Sequence, residues 1–164
     1  MGQKILLLSD THGYMDGKIL SYCKGVDEVW HAGDIGTLAV TDKIQEICPL
    51  RAVYGNIDDK EIRATFPLDN KFKIEDVSVW MTHIGGYPNR YSPRVKESIF
   101  QNPPKIFISG HSHILKVQYD KKLRLLHLNP GAAGKHGFHK VRTLLRFEIE
   151  KSEIKNLEII EMKR

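Results

Sequence analysis

ILLLSDTH, residues 5–12, sets a pattern for the whole chain: a short run, apolar on both faces, stops at side chains that can bind a metal. Such a run reads as a strand covered on both sides, by helices or by a second sheet. The shape recurs in EVWHAG before Asp34, LRAVYG before Asn56, VSVWMT before His83, and KIFISG before His111-Ser112-His113. In open α/β sheets, ligands bind beyond the carboxyl ends of the strands, so residues distant in sequence meet there. Two carboxylates, four imidazoles and one amide are thereby aimed at one region, enough for two metals.

The spacing around these runs predicts the architecture. Residues 3–9 form a strand, Asp16 can cap a helix over about 17–24, and Gly25 can stop it. A strand at 27–31, a helix over about 38–48 closed by Pro49, and a strand at 50–54 follow. This alternation argues for parallel pairing through right-handed crossovers, which puts all three strand ends on one edge. FKIEDVSVWMTH then reads as two antiparallel strands around a turn at Glu75 and Asp76. GGYPNRYSP (85–93) is a loop, followed by a helix over about 94–101 and a strand at 105–109. KVQYD, LRLLHL, RTLLRFEIE and IKNLEIIEM read as four further, mostly antiparallel strands. With no repeat or interdomain linker, 164 residues fit one domain over 1–164.

The 41% hydrophobic and 27% charged fractions are those of a soluble globular protein, and no stretch approaches the roughly 18 apolar residues that span a bilayer. The amino terminus runs into a strand too short and too poor in small residues to be a signal peptide, so a cytoplasmic location is expected, with no membrane partner. The +5 net charge comes from 25 Lys and Arg interspersed with 20 Asp and Glu. It gives a modest field that attracts phosphate-bearing substrates but builds no basic block for nucleic acid. Cys23 and Cys48, without a CxxC spacing, read as reduced, buried thiols.

Asp10 and His12 alternate in D-x-H, so in extended backbone they can grip one cation together, and His111-Ser112-His113 repeats the geometry after Gly110. Either triplet alone has an ordinary reading as a turn with an exposed histidine; two of them at two strand ends do not. Asp34 has two oxygens that could each bind a different metal, which makes it the candidate bridge. Asn56 offers an amide oxygen useful against a phosphoryl group, and His83 completes the set.

D-x-H, GD, GN-x-D, H and GH-x-H, in this order, resemble the signature blocks of calcineurin-like metallophosphoesterases. GNID in place of GNHE, the short chain and the NPG at residues 129–131 resemble the small prokaryotic YfcE-like phosphodiesterase branch. The resemblance implies an αββα sandwich, two mixed β-sheets flanked by helices. It also implies a dinuclear centre with Asp10, His12, Asp34 and His113 on one metal and Asp34, Asn56, His83 and His111 on the other. Nitrogen and oxygen donors without thiolate suit divalent Mn, Fe, Co, Ni or Zn better than Mg or Ca, and manganese leads that set. Two cations lower the pKa of a bridging water, so hydroxide can attack a small-molecule or nucleotide-like phosphodiester, with Asp34, Asn56 and His83 at the reacting group.

Ile57 stands where the wider family carries the GNHE histidine assigned to protonating the leaving group, and its hydrocarbon side chain donates no proton. His31, His136 and His139 are the imidazoles left to substitute or to touch substrate, and Arg90 in the loop after His83 offers a fork for phosphate oxygens. Each has a plainer alternative: a buried strand histidine for His31, exposed loop residues for the others. His127, Trp30 and Trp80 read as core or strand residues. Two other functions remain in view. A non-catalytic scaffold would resemble the eukaryotic retromer subunit of this fold, and a nuclease would need an extended basic groove. The family often forms dimers or tetramers, but no exposed stripe in the sequence marks a homo-oligomer interface.

Overall fold

A computed structural model describes residues 2–164. The chain runs through β1 (Gln3–Leu8), α1 (Gly17–Cys23), β2 (Glu28–His31), α2 (Leu38–Gln45), β3 (Leu50–Ala52) and α3 (Lys60–Thr65). It continues through β4 (Asp69–Ile74), β5 (Val77–Thr82), β6 (Gly86–Tyr87), β7 (Arg90–Tyr91), α4 (Pro93–Gln101) and β8 (Ile106–Ile108). It closes with β9 (Leu115–Asp120), β10 (Leu125–Pro130), β11 (Val141–Glu150) and β12 (Glu153–Lys163).

Two five-stranded mixed sheets result, ordered β12-β11-β1-β2-β3 and β4-β5-β8-β10-β9. In the first, β1, β2 and β3 are parallel, as the strand–helix alternation requires, and β11 joins β1 antiparallel. In the second, β5, β8 and β10 are parallel, with antiparallel β4 and β9 at the edges.

The layering follows from residue alternation. Ile5 and Leu7 of β1 point into a cluster with Val79, Met81, Ile106 and Ile108 of the other sheet, so this layer lies between the sheets. Leu6 and Leu8 point the opposite way, onto Ile19 and Cys23 of α1 and Val40 and Ile44 of α2. On the outer face of the second sheet, Trp80 and Phe107 pack on Val95 and Ile99 of α4. The order is therefore helix, sheet, sheet, helix: the αββα sandwich. Both faces of β1 are buried, which is why ILLL carries no polar alternation, and each of those side chains contributes about 1.5–3 kcal/mol by leaving water.

Asp16 caps α1 by accepting from the Ile19 amide, and Glu75, at φ 50°, makes the turn between β4 and β5. Cys23 and Cys48 are free and buried, and burial pushes the Cys23 thiol up to about 12. Three sequence expectations change. Helix α3 was not foreseen, because six residues capped by Asp59 are too few to show a period. The loop at 85–93 contains the β6–β7 hairpin, with Asn89 at φ 74° in its turn. Strand β3 stops at Ala52 instead of 54, where the chain turns toward Gly55. Among the described residues, no helix is long and apolar enough to cross a membrane.

Candidate metal centre

Asp10, His12, Asp34, His111 and His113 all have positive φ, between 46° and 70°. They are half of the ten non-glycine residues in that conformation among the described residues. Such backbone costs on the order of 1–3 kcal/mol per residue and persists only where the surroundings enforce it. Here the strand-end loops lock one another. The Asp10 amide donates to Gly33 O (2.9 Å), His12 to Asp34 O (2.9 Å), Gly110 to His83 O (2.9 Å) and Gly134 to Asp10 O (3.1 Å). The His111 amide reaches across to Asp10 Oδ2 at 3.1 Å, tying the two sheets together at the site.

The side chains gather as two groups, Asp10–His12–His113 and Asp34–His83–His111, and within each the donor atoms lie within 4.8 Å of one another. The groups meet at Asp34. Its Oδ2 lies 3.2 Å from His83 Nε2 and 3.4 Å from His12 Nε2, so one oxygen faces both. Its Oδ1 accepts the Ile57 amide at 3.1 Å. Of the two oxygens expected to serve two sites, Oδ2 is the one that faces both groups, while Oδ1 also accepts a backbone amide. His113 Nε2 lies 3.2 Å from Asp10 Oδ1. Asn56 joins through a 3.0 Å hydrogen bond between its Oδ1 and His111 Nδ1. All seven side chains expected from the strand ends thus converge.

The donor set fits divalent cations. Asp10 Oδ1, His12 Nε2 and His83 Nε2 are buried, point into the same space, and have no hydrogen-bond partner. Buried polar groups are ordinarily satisfied, so three orphaned atoms aimed together mark a place built for an ion. Separations of 3.2–3.4 Å are long for hydrogen bonds but match donors that share a cation at bond lengths of about 2.1 Å. His83 Nδ1 sits 2.7 Å from Ala32 O, to which it donates, leaving the Nε2 lone pair free for a metal.

The electrostatics agree. Burial opposes ionisation of Asp10 and Asp34, but the facing imidazoles outweigh it: His113 and His12 for Asp10, His12 and His83 for Asp34. Both carboxyls are held well below the usual range. Asp10 and Asp34 in turn push His12 up to about 9. The cluster draws positive charge to its centre, and metal uptake would displace that proton.

A buried shell fixes this geometry. Asp58 accepts three amides, from Ile35 (3.1 Å), Gly36 (2.8 Å) and Gly55 (2.7 Å), and so clamps the loop after Asp34 to the turn before Asn56. Ser9 Oγ donates to Asp10 Oδ2 at 2.6 Å. Asn129 Nδ2 donates to Gly110 O and Ser112 Oγ, holding the loop before His113. Gly55 leaves room for Asp34, since a Cβ there would fall 2.1 Å from Asp34 Oδ1. Asp58 stood in the GNID block, yet nothing local in the sequence showed that it spans two loops.

The remaining candidates divide. His31 is fully buried; its Nδ1 accepts the Gly33 amide and its Nε2 bonds Thr11 Oγ1 at 2.9 Å. Burial pushes it down to about 4; with both nitrogens engaged and no place in the lining of either cleft, His31 braces the loops. Arg90, exposed in its two-residue strand, lines neither cleft beside the centre. Arg94 and Arg63 border Asn56 and His83 instead, with Arg94 paired to Asp69 at 2.8 Å and Arg63 bonded to Asn56 O at 3.1 Å. His136 and His139 line the cleft of about 540 Å³ that opens on His12, Asp34, Asn56 and Ile57. His136 stacks on the His12 ring at 4.6 Å, and His139 Nε2 donates to Gly134 O at 2.7 Å.

Comparison with known proteins agrees with this arrangement. A family model for the calcineurin-like phosphoesterase superfamily domain matches residues 3–152. A probable metallophosphoesterase of Methanothermobacter thermautotrophicus is 24% identical over 131 residues, covering 77% of this chain and 74% of that protein. Among solved structures, Vps29 from Entamoeba histolytica, complexed with Zn2+, superposes with a TM-score of 0.75 at 18% identity, covering 98% of both chains. A novel archaeal phosphodiesterase superposes at 0.74 with 21% identity, covering 97% of this chain and 99% of its own.

Proposed function

The chain belongs to the calcineurin-like phosphoesterase superfamily, and from that premise we propose that it is a metal-dependent phosphodiesterase with a dinuclear centre. The observation that carries this reading is the pair of donor groups sharing Asp34 Oδ2, with three buried atoms left without hydrogen-bond partners. Asp10, His12, Asp34 and His113 would hold one divalent cation, and Asp34, Asn56, His83 and His111 the other. Manganese, Ni, Fe, Co and Zn all suit such donors. When bound, such a pair supplies Lewis acidity that activates water and offsets charge on the phosphoryl oxygens.

The protein's own contribution is rigidity and access. Asp10, Asp34 and His83 are buried and form a floor that cannot relax, whereas Asn56 and His111 are exposed at the mouth, where a phosphoryl group arrives. The exposed Asn56 amide can donate to a phosphoryl oxygen while its Oδ1 stays on the metal side. Ile57 lines the same cleft and donates no proton, so esters with stable leaving anions should turn over fastest.

The test is hydrolysis of bis-para-nitrophenyl phosphate by chelator-stripped protein, with Mn, Ni, Zn or Mg restored and Asp34→Ala as control. Turnover that returns with metal and is absent from the variant supports the proposal. Metal binding without turnover of any ester supports the second reading, a scaffold, which has its own observation: Ile57, Ile114 and the fully exposed Phe138 ring the mouth. An apolar rim of that kind suits a protein partner as well as a substrate.

A further inference from the structure

A phosphodiester has two arms, and the two clefts flanking the centre differ in chemistry. The cleft of about 540 Å³ presents imidazoles. A second, of about 340 Å³, shares His111, Ser112 and Ile114 with it and extends under the loop after His83. Its walls are Ile84, Tyr87 and Ile114, all exposed, and Lys116, whose ammonium lies 4.0 Å from the Tyr87 ring centroid. Gly85 and Gly86 line it without side chains, and Gly85 has no room for one, since a Cβ there would come 2.5 Å from the buried Phe107 Cζ.

Asn129 and the acceptor side of Ser112, at its inner end, are already engaged. Asn129 Nδ2 serves Gly110 O and Ser112 Oγ, its Oδ1 accepts the Gly131 amide, and Ser112 Oγ accepts the Ile114 amide. What meets a ligand is mainly apolar surface, one aromatic ring and one cation, with Ser92 and His127 as the further polar side chains of the lining. From this, and resting on the phosphodiesterase reading above, we infer that this cleft binds the aromatic arm of the substrate, an aryl group or nucleobase seated against Tyr87 between Ile84 and Ile114. Lys116 both faces the ring system and complements the negative ester. The shared wall at His111 places the phosphoryl group at the centre when the ring is in the cleft. With Asn129 fully engaged and the walls mostly apolar, the cleft reads flatness more than base identity, as sequence-tolerant stacking platforms do.

The test is binding of phenylphosphonate and methylphosphonate to the metal-loaded protein by titration calorimetry, which needs no turnover. Wild type should favour the phenyl compound by roughly 5- to 150-fold, the span that one aromatic stack supports. The ratio of the two affinities should fall toward one in Tyr87→Ala and, independently, in Ile114→Ser, both at exposed positions where loss of folding is not expected. Equal affinities in wild type, or a preference that survives both substitutions, overturns the aromatic subsite alone. Failure of metal-loaded protein to bind either phosphonate overturns the phosphoesterase reading, and the subsite with it.

Discussion

Replacing Asp58 by alanine tests whether the centre is held by the clamp between its two loops. The carboxylate accepts the Ile35 and Gly55 amides through Oδ2 and the Gly36 amide through Oδ1, and Asp58 itself is buried. Removing the acceptor leaves buried donors unpaired at a cost of about 1–3 kcal/mol each. The Gly36 bond is only part-buried and can regain water, so the total loss should be about 3–5 kcal/mol. That is a large share of the roughly 5–15 kcal/mol that keeps an ordinary domain folded, yet it leaves a folded variant. Asp58→Asn should lose about half as much: its oxygen can keep two amides, while its NH2 opposes the third. Urea denaturation in chelator reads the stability. Metal content reads the consequence, because the clamped residues flank Asn56 and the shared Asp34, and the Ile35 carbonyl also accepts the Gly13 amide beside His12. Metal affinity should fall in the variant. A stability loss below about 1 kcal/mol, or two cations retained at unchanged affinity, would refute the reasoning.

Further outcomes follow from the same geometry. Gly55→Ala places a methyl 2.1 Å from Asp34 Oδ1 and 2.3 Å from its amide nitrogen; since backbone cannot yield, turnover should drop at least as far as in Asp34→Asn, read in the same diester assay. Asp34→Asn puts a neutral amide where both donor groups share a carboxylate oxygen, so metal-loaded protein should bind fewer than two cations by elemental analysis; full occupancy would remove Asp34 as the bridge. His127 is buried, and burial pushes it down from 6.5 to about 4. As pH falls from 6.5 to 4 the unfolded chain takes up a proton that the folded chain refuses, so stability present above 6.5 is lost across that window. The loss is about 3 kcal/mol and should vanish from the pH slope of His127→Leu; equal slopes in variant and wild type would show that His127 is not held neutral.

What the sequence made legible was whatever local periodicity encodes. ILLL, apolar on both faces, required cover on both sides, and it lies between α1 and α2 on one side and the second sheet on the other. The recurring strand ends located the side chains that meet, because parallel topology alone sends them to one edge. What stayed hidden depends on contacts between elements. His31 looked free for chemistry until Thr11 and the Gly33 amide occupied both of its nitrogens. Nothing local showed that Asp34 Oδ1 would accept the Ile57 amide while Oδ2 faced both donor groups. Asp58 looked like a variant letter in a motif, although it carries the clamp. The positive φ of Asp10, His12, Asp34, His111 and His113 is the sharpest instance: Asp and His enter left-handed backbone more readily than most side chains, but the D-x-H and H-x-H spacings read as extended. Those angles survive because amides from neighbouring loops hold them. The same loops leave Asp10 Oδ1, His12 Nε2 and His83 Nε2 buried without partners. Strain and unsatisfied polar atoms at one place are both unfavourable to the folded chain, and a bound cation would relieve the second while making use of the first.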